Sequence, residues 1–275
     1  MVIMGHEDSI GLRSALRNGD ASDSEKDAGN LKLVLFDIDG TLSTGGTFTR
    51  HLAAAIEEKL KLGITPDSLE ERIKVGRTAS QEITLIAREA GVSDEARSGV
   101  VDAILASATT SMERELSKSP LKALDGVAEF LSSLAAREDV VLGVVTNNTK
   151  ESMLIKLRST GLLDYFSGHG ILVCASDGQS KIELVEFAIK KAEDVLQTKI
   201  FRKNVFYFGD QVSDIFAGAL AGAVSIGVAT GRSSFEELGR AGADSVLRSF
   251  SDHRAAMATI DRVARRDKSV RIIPL

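Results

Sequence analysis

The sequence has few of the residues on which several classes of protein depend. Among its 275 residues there are one cysteine, three prolines and no tryptophan. A single cysteine, Cys174, excludes an intramolecular disulfide and a cysteine-rich zinc site, and we expect it to be a buried strand residue. This use of cysteine fits a reducing compartment, so we expect a cytoplasmic location.

Long apolar runs and an excess of basic charge are also lacking. No apolar run is long enough to span a bilayer, and residues 1–30 lack the basic segment and apolar core of a signal peptide, so we expect no membrane partner. The formal net charge is -5. A general nucleic-acid binder needs a basic face, so we expect no nucleic-acid partner.

What is present is enough apolar sequence, at 43%, for a large core. Residues 1–30 carry six acidic residues, which fits poorly with an organelle transit peptide, and they are predicted to be a flexible N-terminal tail. Residues 43–119 show helical spacing of apolar residues and are predicted to be a helical cap. Residues 31–42 and 120–275 alternate strand and helix. The fold class is therefore predicted as α/β: a Rossmann-like doubly wound parallel sheet with an inserted helical cap.

The first strand of this core ends in two acids. Leu31–Phe36 is apolar except for Lys32, which is typical of a strand buried on both faces. Asp37 and Asp39 follow, with a glycine turn behind them. Buried carboxylates are costly without a cation or hydrogen bonds, and ligands bind at the carboxyl ends of parallel strands. We expect Asp37 and Asp39 to hold a divalent metal and one of them to attack phosphorus.

Other predicted strand ends carry polar residues that converge on the same edge of the sheet. They are Thr146 and Asn147 after one strand, Asp210 and Asp214 after another, and Lys181 at a helix start. Four acids at one point need a cation, and Mg²⁺ is the hard cation that carboxylate oxygens bind while a phosphate completes its coordination. The predicted metal ligands are Asp37, Asp39, Asp210 and Asp214.

The segments DIDGT (Asp37–Thr41) and GDQVSD (Gly209–Asp214), together with Thr146 and Lys181, resemble the four motifs of the haloacid dehalogenase (HAD) superfamily. The insert after the first motif resembles that of the C1-capped members, and two further stretches are similar to phosphoglycolate-phosphatase-like hydrolases. The resemblance implies Mg²⁺-dependent hydrolysis of a phosphomonoester. It further implies that Asp37 is the nucleophile and Asp39 the acid/base, in agreement with the chemistry of the residues.

Thr146, Asn147 and Lys181 are predicted to bind the transferring phosphoryl group, with Thr146 and Lys181 also counted as catalytic. Lys156 is the alternative to Lys181, although its place in mid-helix is more typical of a solvated surface charge. In the predicted cap, Arg77 can pair with a substrate carboxylate or phosphate. Structural alternatives remain: Thr146 and Asp214 as helix caps, and Lys181 and Arg77 as surface charges.

The sequence therefore predicts a phosphatase that acts on a small phosphorylated, phosphoglycolate-like metabolite, as a monomer or a homodimer. A phosphotransferase of the β-phosphoglucomutase type shares every motif and differs in how the closed cap excludes water. A binding protein without catalysis on the same fold is a third possibility, because a fold alone does not determine function.

Overall fold

The computed structural model describes residues 30–44, 47–73 and 78–264. Nearly all of the predicted flexible tail lies outside these residues, as do Gly45–Gly46 at the start of the predicted helical cap and Arg77, the predicted substrate contact. Within the described ranges, no helix is both long enough and apolar enough to cross a membrane.

Six parallel strands form the central sheet. They are β1 (Lys32–Phe36), β2 (Val140–Val145), β3 (Ile171–Val173), β4 (Val205–Gly209), β5 (Val224–Val228) and β6 (Ser245–Leu247). Their order is β3-β2-β1-β4-β5-β6, and every neighbouring pair is parallel. The strand order reverses between β1 and β4, which is where open α/β sheets bind ligands. The predicted α/β, Rossmann-like doubly wound sheet is confirmed.

Strand β1 is held in place by apolar packing on both faces of the sheet. Val34 and Phe36 join the core on one face, whereas Leu33 and Leu35 join the core on the other, and all four are fully buried. Phe36 stacks on Phe208 with ring centroids 5.0 Å apart. Any shift of this strand would expose apolar surface on two sides, so the residues that follow it are fixed in position.

Four helices follow β1 and precede the rest of the sheet: α1 (Thr47–Leu60), α2 (Pro66–Ile73), α3 (Ala79–Glu89) and α4 (Asp94–Leu116). We call residues 47–116 the helical insert. Its helices share an apolar core of their own, to which Leu52, Ile83 and Met112 belong. The chain enters and leaves the insert side by side, because the Leu124 N–H donates to the Leu42 carbonyl at 3.0 Å.

Within the part of the chain that the structure describes, seven further helices cover the sheet: α5 (Val127–Ala135), α6 (Lys150–Ser159), α7 (Leu163–Ser167), α8 (Lys181–Leu196), α9 (Val212–Leu220), α10 (Phe235–Arg240) and α11 (His253–Ala264). Helices α6 and α8 begin at Thr149 and Ser180, whose side chains accept a backbone N–H of the first turn. Such caps satisfy donors that a helix start otherwise leaves free. They fix the starts of the two helices that carry Lys156 and Lys181.

The alternation of strand and helix predicted for residues 120–275 is confirmed, and the structure adds two short 3₁₀ helices at Ala175–Asp177 and Arg202–Asn204. Cys174 is buried, as predicted, although it lies just beyond the end of β3.

Candidate active site

Three acids meet where β1 and β4 end. Asp37 follows β1, and its backbone N–H donates to the Phe208 carbonyl of β4 at 2.9 Å. Asp210 follows β4, and Asp214 lies in the first turn of α9. All three are buried. Neighbouring strands in register therefore deliver carboxylates that are far apart in sequence to one point.

The three carboxylates are close enough to share one cation. One oxygen of each lies within 4.8 Å of the other two. Burial, together with the charge of Asp214, raises the pKa of Asp37 to about 6 despite the opposing charge of Lys181. Burial and the neighbouring Asp214 and Asp37 raise the pKa of Asp210 to about 8. The site thus concentrates negative charge that a bound cation would compensate.

One atom of this group is unpaired in the part of the chain that the structure describes. The Oδ2 of Asp210 accepts the Arg232 N–H at 2.8 Å, whereas its buried Oδ1 has no hydrogen-bond partner. A buried oxygen without a donor is costly. Three carboxylates with one orphaned oxygen are a donor set that fits a hard divalent cation.

Lys181 is the cation at the predicted nucleophile. Its Nζ lies 2.7 Å from Asp37 Oδ1 and 3.2 Å from Asp214 Oδ1. Burial lowers the pKa of Lys181, but the carboxylates of Asp214 and Asp37 outweigh it and raise the pKa well above its usual value. Lys181 is therefore a fixed positive charge, and its side chain is 11% exposed. This excludes the alternative of a solvated lysine at a helix start.

The end of β2 supplies hydroxyl and amide groups. Thr146 is buried, and its Oγ1 accepts the Nδ2–H of Asn148 at 2.7 Å. Thr149, not Thr146, caps α6, so the alternative role of Thr146 as that cap is wrong. Asn147 lines the cavity next to Thr146. Asp214 does take part in a cap, because its Oδ2 accepts the Gln211 N–H at 3.1 Å, but it also faces the other acids.

Asp39 does not belong to the three-carboxylate group. Its two oxygens instead lie 2.7 and 2.6 Å from the Nζ of Lys156, and one accepts the Nδ2–H of Asn148 at 2.8 Å. The expectation that Lys156 is a solvated surface charge is wrong, because its side chain is 1% exposed. The helix α6 turns this lysine inward, where the carboxylate of Asp39 compensates its charge.

These groups border a cavity of about 390 Å³ between the sheet edge and the helical insert. Asp37, Asp39 and Lys181 lie on the side of the sheet, and Phe48, Leu52 and Ile73 on the side of the insert. At the rim the Arg232 guanidinium pairs with Glu70 of α2. The cavity thus joins a charged floor to a more apolar roof, an arrangement suited to a small anionic molecule.

The structure brings together Asp37, Asp39, Thr146, Asn147, Lys181, Asp210 and Asp214 of the predicted site residues. Sequence reasoning missed Asn148, Arg232 and the burial of Lys156. No local pattern marks these three, because Asn148 lies just before the cap of α6 and the partner of Lys156 lies far away in the sequence.

Solved structures with the same fold were found by comparison. A predicted phosphatase from Clostridium acetobutylicum is 26% identical, with 83% of this chain and 99% of that chain covered and a TM-score of 0.60. A β-phosphoglucomutase from Clostridium difficile is 17% identical over 86% and 100%, with a TM-score of 0.64. A HAD family hydrolase from Deinococcus radiodurans with bound phosphate and sodium is 24% identical over 85% and 97%, with a TM-score of 0.54.

The comparison with protein families is more specific than the comparison with solved structures. No curated protein matches the sequence. The family of haloacid dehalogenase-like hydrolases matches residues 34–228, which contain both acid motifs, Thr146 and Lys181. This match covers well over half of the chain. The chain therefore belongs to the family of haloacid dehalogenase-like hydrolases.

Proposed function

We propose that the protein hydrolyses a small phosphomonoester, with Mg²⁺ as cofactor and a phosphoryl-aspartate on Asp37 as intermediate. The observation that carries this proposal is the arrangement at Asp37. A carboxylate fixed at a strand end faces a buried lysine at 2.7 Å and shares a three-acid group at the floor of a cavity. A nucleophile, a charge that stabilises the transferring group and a place for a cation are thus combined.

The residues suggest the following steps. An Asp37 oxygen attacks phosphorus, the bond from phosphorus to the leaving oxygen breaks, and protonated Asp39 gives its proton to that oxygen. A water then attacks the phosphoryl-aspartate, its proton goes to Asp39, and the bond from Asp37 to phosphorus breaks. Inorganic phosphate leaves, and both acids return to their starting states.

Lys181, Thr146 and Asn147 serve the transferring group in this scheme. Lys181 holds positive charge beside Asp37 throughout, and Thr146 and Asn147 offer hydrogen bonds at the neighbouring strand end. Mg²⁺ bound by Asp37, Asp210 and Asp214 would supply positive charge for the phosphate oxygens and the nucleophile. We include Asp39 as a further ligand through its backbone carbonyl, as the sequence predicts.

The helical insert is assigned the role of a cap of the C1 type. Its side chains Phe48, Leu52 and Ile73 roof the cavity. A roof that excludes bulk water protects an acyl phosphate and strengthens the electrostatic interactions below it. The limited size of the cavity supports a small metabolite, with phosphoglycolate as the first candidate, and we propose a cytoplasmic location.

A phosphotransferase of the β-phosphoglucomutase type is the second candidate. The observation that favours it is Asp39, since a transferase also needs an acid and base at the leaving group. The two functions differ in the acceptor of the phosphoryl group, which is water in one and a sugar phosphate in the other. Product analysis with a sugar phosphate distinguishes them.

The test is phosphate release from a panel of small phosphorylated metabolites, with Mg²⁺ and with EDTA. We expect Mg²⁺-dependent release by the wild type and a loss of at least about a thousandfold in Asp37→Asn, because an amide is a poor nucleophile. Asp102→Asn, an exposed acid on α4, is the matched control and should retain turnover. Absence of release from every compound by folded wild-type protein would contradict the proposal.

A further inference from the structure

The carboxylate of Asp39 is held in a cradle of side chains that the steps above do not use. Lys156 contacts both of its oxygens, at 2.7 and 2.6 Å, and Asn148 donates to one of them at 2.8 Å. Lys156 also donates to Asn148 Oδ1 at 2.9 Å. Three groups thus form a closed ring of hydrogen bonds. A ring of this kind fixes both the position and the plane of the carboxylate.

Helix α6 and the residue just before its cap build this cradle. Ser152 and Lys156 lie one turn apart on the helix, so their side chains point the same way, and Asn148 immediately precedes the Thr149 cap. Ser152 is fully buried and donates to Asn148 Oδ1 at 3.2 Å. With Ser152 and Lys156 both at Oδ1, the Nδ2 of Asn148 must face Asp39 and Thr146. The orientation of this amide is therefore determined by its neighbours.

The burial of Lys156 shows that the cradle is not an incidental surface pair. A lysine that is 1% exposed loses most of its hydration, and the oxygens of Asp39 and Asn148 replace the lost water. Asp39, at 25% exposed, is open on the side of the cavity. The carboxylate is thus held by Lys156 and Asn148 on one side and open to the cavity on the other, where a leaving group would lie.

We propose that Lys156 and Asn148 are positioning residues that hold Asp39 for proton transfer to the oxygen of the leaving group. This inference rests on the proposed phosphatase function. It assigns one lysine to each acid: Lys181 serves Asp37, which forms and breaks the bond to phosphorus, and Lys156 serves Asp39, which gives and regains a proton. The role of Asp39 indicates an alkyl phosphate as the substrate class. An alkyl phosphate requires proton transfer to the leaving oxygen, whereas an aryl phosphate with a stable leaving anion does not.

The experiment compares kcat/KM for an alkyl phosphate, such as phosphoglycolate, and for p-nitrophenyl phosphate. This ratio reports on the steps up to departure of the leaving group. In Lys156→Met we expect a loss for the alkyl phosphate at least about tenfold larger than for p-nitrophenyl phosphate, as misplacement of an acid affects only the step that needs it. Asn148→Ala should also lose more kcat/KM for the alkyl phosphate than for p-nitrophenyl phosphate. Lys156→Arg should lose less kcat/KM for the alkyl phosphate than Lys156→Met does.

Further variants separate positioning from folding. Asp39→Asn combined with Lys156→Met should lose no more than Asp39→Asn alone, because the lysine acts through the acid. Lys150→Met, an exposed lysine on the same helix, is the matched control. Circular dichroism and thermal unfolding check each variant, and Asn148→Ala decides the question if Lys156→Met does not fold.

Equal losses for the two substrates, or no loss, would overturn the inference while wild-type turnover and the Asp37→Asn result leave the phosphatase in place. Additive losses in the double variant would overturn it as well. Lack of turnover by the folded wild type on every compound of the panel would refute the proposed function, and the inference with it. The two failures are therefore distinguishable.

Discussion

Two glycines leave the space into which Asp210 fits. A Cβ at Gly231 would lie 2.0 Å from Asp210 Oδ2, and one at Gly40 would lie 2.4 Å from the same atom. Gly40 also has φ of +82°, which favours glycine. No side chain can occupy either position while Asp210 stays in place, so both glycines belong to the geometry of the acid group.

This contact leads to a prediction for Gly231→Ala. The added methyl group must push Asp210 away from Asp37 and Asp214, and we expect turnover to fall about tenfold to a hundredfold and the affinity for Mg²⁺ to weaken. Gly239→Ala is the control, because nothing lies within 4 Å of a Cβ there. Steady-state kinetics over a Mg²⁺ titration measure both effects. Wild-type kinetics in Gly231→Ala would show that the site tolerates a displaced Asp210.

The starts of β1 and β2 are joined by an ion-pair network. Arg137 donates to both oxygens of Asp139 at 2.8 Å, and Lys32 of β1 pairs with the same carboxylate. Hydrogen bonds from Arg137 dominate and, with Lys32, hold the pKa of Asp139 well below its usual range. The network ties the first strand of the sheet to its neighbour in the chain segment that follows the helical insert.

The pH dependence of stability follows from the sign of this shift. Because the folded-state pKa is lowered, the contribution of Asp139 is complete above the unfolded value of about 3.9 and is lost as the pH falls through the folded value. We expect Asp139→Asn to lower Tm by about 1–3 °C at pH 7, since the partly exposed pair is screened by solvent.

Thermal unfolding of both proteins between pH 2 and pH 7 measures this difference. The difference in Tm between the wild type and Asp139→Asn should become smaller below about pH 4. Asp164→Asn, an exposed acid on α7, is the control. If the difference in Tm stays constant between pH 2 and pH 7, the lower stability of the variant comes from packing and not from the charge of Asp139.

The strands and most helices were predictable because each carries its signal locally. The apolar run of β1 and the capped starts of α6 and α8 are visible within a few residues. Helix α7 has five residues, too few for a helical period, so packing on the sheet determines it. Helix α11 buries Ala256, Thr259 and Ile260, at helical spacing, and this local signal is absent from the sequence prediction.

The candidate site was predictable to the same extent and for the same reason. Acids that follow an apolar strand stand out in sequence, so Asp37 and Asp210 were found together with their convergence. The burial of Lys156 was not predictable from local sequence, because its partner Asp39 is 117 residues away. A lysine in mid-helix is usually solvated, and only the assembled fold shows that this one faces a carboxylate. No described residue tests the prediction for Arg77.

At the scale of the molecule, polar contacts join the helical insert to the core around the cavity. Glu70 of α2 pairs with Arg232, and Gln81 of α3 donates to Gln179 at 3.2 Å. The backbone N–H of Arg232 in turn donates to Asp210. The rim contact is therefore linked by one residue to the acid group, so the position of the insert and the geometry of the site are connected.

Loss of the rim ion pair should weaken closure. In Glu70→Gln we expect KM to rise about two- to fivefold, because an exposed pair contributes about 0.2–1 kcal/mol. Raised ionic strength should increase KM in the wild type by screening the pair and should have less effect in the variant. Kinetics at two salt concentrations measure this, with Asp67→Asn, an exposed acid on the same helix, as the control. An equal response to salt in both would contradict the prediction.

The central place of β1 in the sheet has a consequence for synthesis on the ribosome. Asp37 emerges early, but Lys181 follows it by 144 residues and Asp210 by about 170. At about 5–20 residues per second, roughly 9 to 35 seconds separate the first acid from the last. Until β4 is made, the apolar β1 has an open edge that invites pairing with other chains. A nascent chain of this protein thus needs protection from an early stage of translation until β4 is made, just before its chemistry becomes possible.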